Sequence, residues 1–180
     1  DRGYVRGMAR SLDRRGWDVC AWNLRGCSGE LNRRVATYHS GKTDDLARVV
    51  DHVLDRGYAT AALVGFSLGG HLPLKHLGER GPAVDDRIRG AVTFSVPVDL
   101  QASSHRIART TNWHYTQYFL RSLREKIRQK AERHPDGVRT DALPHVRTLR
   151  DFDDAYTAPL NGFRDADTYY REVSSKPLLE

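Results

Sequence analysis

The chain has 180 residues, 39% of them hydrophobic, with 29 basic and 23 acidic side chains and a net charge of +6. That is the size of one domain with a modest core. No apolar run reaches the roughly 20 residues of a helical membrane span, and two cysteines are too few for a disulfide framework or a four-ligand zinc site. The 24 arginines and five lysines are scattered from Arg2 to Arg171 among the acids. Dispersed charge lacks the clustered footprint of nucleic-acid binding, so no such partner is expected.

The N-terminus, Asp1-Arg2-Gly3, has no apolar signal region behind it. With only Cys20 and Cys27 to oxidise, a cytoplasmic location is the expectation. Val5, Met8, Ala9 and Leu12 fall on one stripe and predict a helix from Tyr4 to Arg15, ended by Gly16. A parallel sheet repeats strand and helix, so a chain that opens on a helix reads as a fragment lacking the strand before it. Trp17 to Leu24 has the length and composition of a buried parallel strand, and Arg25 to Asn32 is a glycine-punctuated loop at its C-terminal end.

Helix signals resume at Thr43, a candidate N-cap followed by Asp44 and Asp45, with Leu46, Val49, Val50, Val53 and Leu54 on one face. Ala59 to Val64 reads as the next strand and Arg89 to Val98 as a third, with a helix carrying Leu72, Leu74 and Leu77 between them, interrupted by Pro73. Alternating helices and strands predict an α/β fold: a mostly parallel sheet with helices on both faces.

Beyond it, residues 105 to 134 form an amphipathic helix with Tyr115, Phe119, Leu123 and Ile127 opposite Arg121, Arg124, Lys126, Arg128 and Lys130. Residues of about 100 to 151 are read as a helical cap insertion. Its basic face is a solvated surface in the simplest account, and a peripheral membrane contact uses the same pattern. Phe152 to Leu160 reads as polar and irregular, and Asp165 to Val173 as a short helix.

The stretch Gly65-Phe66-Ser67-Leu68-Gly69 joins the apolar strand to the helix after it. Gly-x-Ser-x-Gly in that context is a nucleophile elbow, whose turn leaves no room for side chains two residues either side of the serine. Ser67 is therefore the candidate nucleophile, and the Leu68 amide at the helix N-terminus a candidate oxyanion donor. A serine nucleophile needs a base and an acid. Within the chain the candidate acid is Asp99, and the nearest downstream histidines are His105 and His114. His71 lies four residues after Ser67 and faces away from where a base must stand, a packing position. Cys27 has no neighbouring histidine to activate it, and His39, His52, His71 and His76 lack metal-ligand spacing. No cofactor or metal is expected.

Trp22-Asn23-Leu24-Arg25-Gly26-Cys27-Ser28-Gly29-Glu30, Tyr38-His39-Ser40-Gly41, the elbow, Phe152-Asp153-Asp154, Asn161-Gly162-Phe163 and Tyr169-Tyr170 together resemble the YheT-like α/β-hydrolases. The resemblance runs nearly end to end. It implies a serine hydrolase acting on small-molecule carboxylic esters through an acyl-enzyme on Ser67, with Leu68 supplying one oxyanion amide. It also implies that the other oxyanion turn lies upstream of Asp1, and that the triad's acid and histidine lie beyond Glu180. His71 stands where the family commonly has asparagine, and Pro73 is a further departure. The family fold places another strand between Trp17–Leu24 and Ala59–Val64. Unpaired buried strand groups cost about 1 to 3 kcal/mol each, so residues 1 to 180 alone are expected to be inactive and not to fold stably. Acyl transfer to an alcohol, by the same intermediate, and a non-catalytic binding scaffold are the alternative readings.

Overall fold

A computed structural model describes residues 3–179. Helix α1 (Gly3–Asp13) forms where its stripe predicts, with Val5, Met8, Ala9 and Leu12 all partly buried. The expected strand after it does not form. Trp17 to Leu24 is irregular, with Trp17 45% and Val19 42% exposed. A strand exists through a hydrogen-bonded neighbour, and among the described residues none lies alongside this segment. Trp22 and Leu24 still turn inward against a buried cluster.

Helix α2 (Thr43–Leu54) buries Leu46, Val50 and Leu54, as the pattern requires. Thr43 is its first helical residue rather than its cap. Lys42 occupies the cap position, and the Thr43 hydroxyl instead donates to Glu79 Oε2 at 2.7 Å. Strands β1 (Ala61–Phe66) and β2 (Ile88–Phe94) pair in parallel, in register from Leu63 with Ala91 to Phe66 with Phe94. Helix α3 (Leu68–Arg80) makes the crossover between them.

The pair presents two faces, as alternation along a strand demands. Ala61, Leu63 and Ile88 pack onto Leu46, Val50, Leu54 and Leu72 of α2 and α3. On the opposite face Phe66 stacks on Phe94 with centroids 4.9 Å apart, and Tyr4 of α1 meets Phe66 edge-on at 4.9 Å. Helices thus contact both faces. Val64, Val92 and Phe94 remain 38%, 56% and 41% exposed, so the α1 face is only partly covered.

After β2, Asp99 caps α4 (Leu100–Ile107) by accepting from the Ala102 amide. Helix α5 (Trp113–Arg133) is the long amphipathic helix, but its inward face is rotated from the expected one. Thr116, Leu120, Ile127 and Lys130 are buried, while Tyr115 and Tyr118 stand more than half exposed. Lys130 therefore leaves the expected solvated face: its ammonium donates to the Arg34 carbonyl at 2.6 Å. The core on this side joins Leu120 and Ile127 to Val138, Leu143, Val146, Phe152 and Tyr156, so it continues past Asp151.

The segment expected to be irregular is a continuous helical run. Helix α6 (Leu149–Phe152), started by a Thr148/Asp151 capping box, passes through a π-helical turn (Asp153–Thr157) into α7 (Ala158–Leu160). Its polar letters misled because Asp153, Thr157 and Asn161 spend their polar groups on internal partners. Helix α8 (Ala166–Val173), capped by Asp165, forms as expected. Tyr169, Tyr170 and Val173 of α8 pack with Leu100, Ala158 and Ala166 in a third cluster.

Candidate active site

Ser67 occupies the junction of β1 and α3 with φ 52° and ψ −127°, a backbone region costing a non-glycine residue about 1 to 3 kcal/mol. Three bonds hold it there. The Ser67 amide donates to Phe94 O of the neighbouring strand at 2.8 Å, and its carbonyl accepts from the amides of Gly70 (2.9 Å) and His71 (3.1 Å). The side chain is exposed, and no described side chain hydrogen-bonds it. As the first residue of α3, Leu68 has an amide without a partner inside the helix, at its positive end.

The steric demand of the turn falls partly where the motif predicts. A Cβ at Gly65 would lie 2.3 Å from the Gly69 oxygen and 2.4 Å from Gly70 Cα, so only glycine fits. A Cβ at Gly69 would meet nothing within 4 Å. The second tight position is Gly70, where a Cβ would approach Val96 Cγ2 to 2.7 Å and the Gly65 oxygen to 2.9 Å. Pro73 sits in the second helical turn, where its missing N–H frees the Gly69 carbonyl from its helical partner. That same oxygen is the one that excludes a side chain at Gly65.

Beneath the elbow, His71 is fully buried. Its Nδ1 donates to the Ser40 carbonyl at 3.0 Å and its Nε2 accepts from the Ser175 amide at 3.2 Å. A carbonyl can only accept and an amide only donate, so the ring is neutral with the proton on Nδ1. Burial holds its pKa below the ordinary value, against the Ser40 bond, which raises it. The ring fastens α3 to residues 31 and 104 positions away, confirming a packing role.

Ser40 continues the network. Its amide donates to the Tyr169 hydroxyl at 3.1 Å, which in turn donates to Ser40 Oγ at 3.0 Å. His39 lies edge-on to Phe163 and Tyr169 at 5.5 and 5.8 Å, and burial lowers its pKa to about 4. Tyr170 donates to Asp153 at 2.7 Å in the π turn. Burial pushes that carboxyl up to about 6, against the bonds from Thr157 and Tyr170. Four of the sequence blocks that carried the resemblance, Tyr38–Gly41, Phe152–Asp154, Asn161–Phe163 and Tyr169–Tyr170, thus meet in one buried aromatic and polar cluster tied through His71 to the helix after Ser67, while Trp22–Glu30 packs against α2 instead. Read singly, they gave no sign of that meeting.

The other candidates lie elsewhere. Asp99 is committed to its helix cap and faces Lys176 Nζ at 3.7 Å. His105 and His114 are exposed, and neither hydrogen-bonds Ser67. Cys27 has a neighbour that its sequence context does not show, Lys126 Nζ at 3.2 Å, which also sits 4.8 Å above the Tyr38 ring. Among the described residues no group of three or more His, Cys, Asp or Glu is placed to hold a metal ion, and no helix is long and apolar enough to cross a membrane.

A strained serine between a parallel strand and a crossover helix is the arrangement of the α/β-hydrolase fold, and residues 1–154 match the family described as alpha/beta hydrolase fold. The chain belongs to that family, and within it is YheT-like. It is 35% identical over 179 residues to "Putative esterase YheT" of Escherichia coli (strain K12), covering 98% of this chain and 52% of that protein. It is 31% identical over 180 residues to phospholipase ABHD3 of Mus musculus, covering 98% of this chain and 43% of that one. It is 29% identical over 181 residues to the monoacylglycerol lipase of Saccharomyces cerevisiae, covering 96% of this chain and 40% of the lipase. The chain thus spans about half the length, or less, of these relatives. No solved structure matches it significantly.

Proposed function

We propose that the full-length protein is a serine hydrolase that cleaves small-molecule carboxylic esters, in the cytoplasm, through an acyl-enzyme on Ser67. The observation that carries this reading is the backbone of Ser67, φ 52° and ψ −127°, which lifts an exposed hydroxyl onto the N-terminus of α3. Strain of this kind, held by three hydrogen bonds to neighbouring backbone, is a cost without a return unless the hydroxyl is used. The names of the relatives, an esterase, a phospholipase and a lipase, support ester cleavage.

In this mechanism Ser67 Oγ attacks the ester carbonyl carbon while a base takes its proton, and charge gathers on the carbonyl oxygen near the Leu68 amide. The tetrahedral intermediate collapses, the alcohol leaves with the proton, and water repeats the attack on the acyl-enzyme to release the acid and restore Ser67. The family resemblance implies that the base and its orienting acid lie beyond residue 180. Residues of about 100 to 151 act as a cap, whose exposed Trp113, Tyr115 and Tyr118 would face an apolar acyl chain. A serine-directed phosphonate probe applied to the full-length protein and to Ser67→Ala tests the proposal. Labelling confined to the wild type is expected, and equal labelling of both would overturn it.

A further inference from the structure

A shallow, widely open cavity of about 350 Å³ lies on the surface between the loop after Trp22 and the outer side of α2. Arg25, Arg33, Arg34 and Arg48 line it with Asp45 as the sole acid. Asp45 is already taken: Arg25 grips it with two guanidinium nitrogens, Nε at 2.6 Å from Oδ2 and NH2 in close contact with Oδ1. Arg33, Arg34 and Arg48 have no carboxylate partner among the described residues, so the cavity carries three uncompensated positive charges.

The loop that bears them is built into the molecule. Asn32 Nδ2 donates to the carbonyls of Arg34 (2.9 Å) and Ala36 (2.8 Å), closing the turn. From α5, the buried Lys130 donates to Arg34 O at 2.6 Å and Arg133 to Leu31 O at 3.2 Å. Four hydrogen bonds therefore fix the backbone from which Arg33 and Arg34 project, and α2 fixes Arg48. All three are exposed, so their guanidinium groups are open to an anion arriving from solvent, whose binding relieves their mutual repulsion.

We propose that this cavity is a binding site for an organic phosphate. Guanidinium forks match phosphate oxygens bidentately, and three of them suit a dianion better than a carboxylate. The volume exceeds what a bare phosphate fills and lies at the small end of ligand pockets. The indole of Trp22 and the arginine stems line the remainder, so the group esterified to the phosphate is small and partly apolar. The same chemistry is offered by a soluble phosphate monoester and by the headgroup of an anionic lipid. The site does not depend on the serine chemistry, and Ser67→Ala retains it.

The test uses the full-length protein and two probes: glycerol 3-phosphate followed by calorimetric titration, and vesicles of phosphatidylcholine with phosphatidic acid followed by sedimentation. Three proteins are compared: wild type, Arg33→Ala/Arg34→Ala/Arg48→Ala, and a control with equal charge removed elsewhere, Arg6→Ala/Arg10→Ala/Arg121→Ala. Binding of either probe that weakens at least tenfold in the cavity variant and stays within twofold in the control is expected, and the responding probe identifies the source. Failure of both probes to bind wild type, or equal loss in the two variants, overturns the proposal. Should the triple variant not fold, Arg48→Gln alone is expected to weaken binding several-fold, and unchanged binding in it overturns the proposal equally.

Discussion

The carbonyl oxygen of Gly69 stands 2.3 Å from where a Cβ of Gly65 would be, while a Cβ of Gly69 itself would face open space. The two glycines of one motif therefore differ in kind. Gly65→Ala is expected to abolish folding or displace the elbow, since the obstructing atoms are backbone. Gly69→Ala is expected to leave stability unchanged or raise it by up to about 1 kcal/mol, because alanine is the better helix former. Chemical denaturation of the two variants separates them, and comparable losses in both would contradict the geometry.

His71 makes two buried hydrogen bonds that an alanine cannot replace. His71→Ala leaves the Ser40 carbonyl and the Ser175 amide unpaired and opens a cavity, a loss of about 2 to 4 kcal/mol. Folded His71 and His39 both have pKa values below the ordinary 6.5 of histidine, for His39 about 4. The unfolded chain then binds more protons, so their contribution is present above pH 6.5 and lost as pH falls below it, for His39 as pH falls through about 4. Denaturant midpoints measured from pH 8 to pH 4 should fall, and the fall should be shallower in His71→Ala.

Asp153 acts in the opposite sense. Its carboxyl is raised from 3.8 to about 6, so the protonated form favours folding below pH 4 and that stabilisation disappears as pH rises through 6. Asparagine keeps an acceptor for Tyr170 without the charge. Asp153→Asn is expected to gain about 1 kcal/mol relative to wild type between pH 5 and pH 8, since about half of the shift falls inside that window. Urea titrations at those two pH values check it, and an unchanged difference would refute it.

Lys130 and Arg128 lie two residues apart on one helix with opposite consequences. Lys130→Met strands the Arg34 carbonyl and is expected to cost about 1 to 3 kcal/mol. Arg128 is more than half exposed and pairs with Glu125 at 3.5 Å, so Arg128→Met should stay within about 0.5 kcal/mol. Thermal melts of both variants read the difference, and equal shifts would place the buried face of α5 elsewhere.

Much of the fold was legible in periodicity. The stripe of α2, the crossover from β1 through α3 to β2 and the short helix α8 follow from apolar spacing and capping residues. Trp17–Leu24 was not, because composition marks a segment fit for a sheet while only a paired neighbour makes it a strand. The face of α5 was misplaced because Tyr115 looks apolar, yet Lys130 can bury its stem and spend its ammonium on a carbonyl. Asp153–Thr157 looked like a loop for the related reason that its polar groups are satisfied inside the molecule. Ser67 was legible since strand, turn and helix all announce an elbow locally, whereas the ties of His71 to Ser40 and Ser175 depend on folding in three dimensions.

Those two ties also set an order of events during synthesis. Ser40 leaves the ribosome before His71, but Ser175 follows more than a hundred residues later, some seconds on at ordinary elongation rates. Until then the elbow helix is fastened on one side only, and contacts so distant along the chain are slow to close. A nascent protein would therefore hold the helix behind Ser67 by the Ser40 tie alone until Ser175 has docked. The docking of a residue made late thus decides when the elbow helix is fastened on both sides.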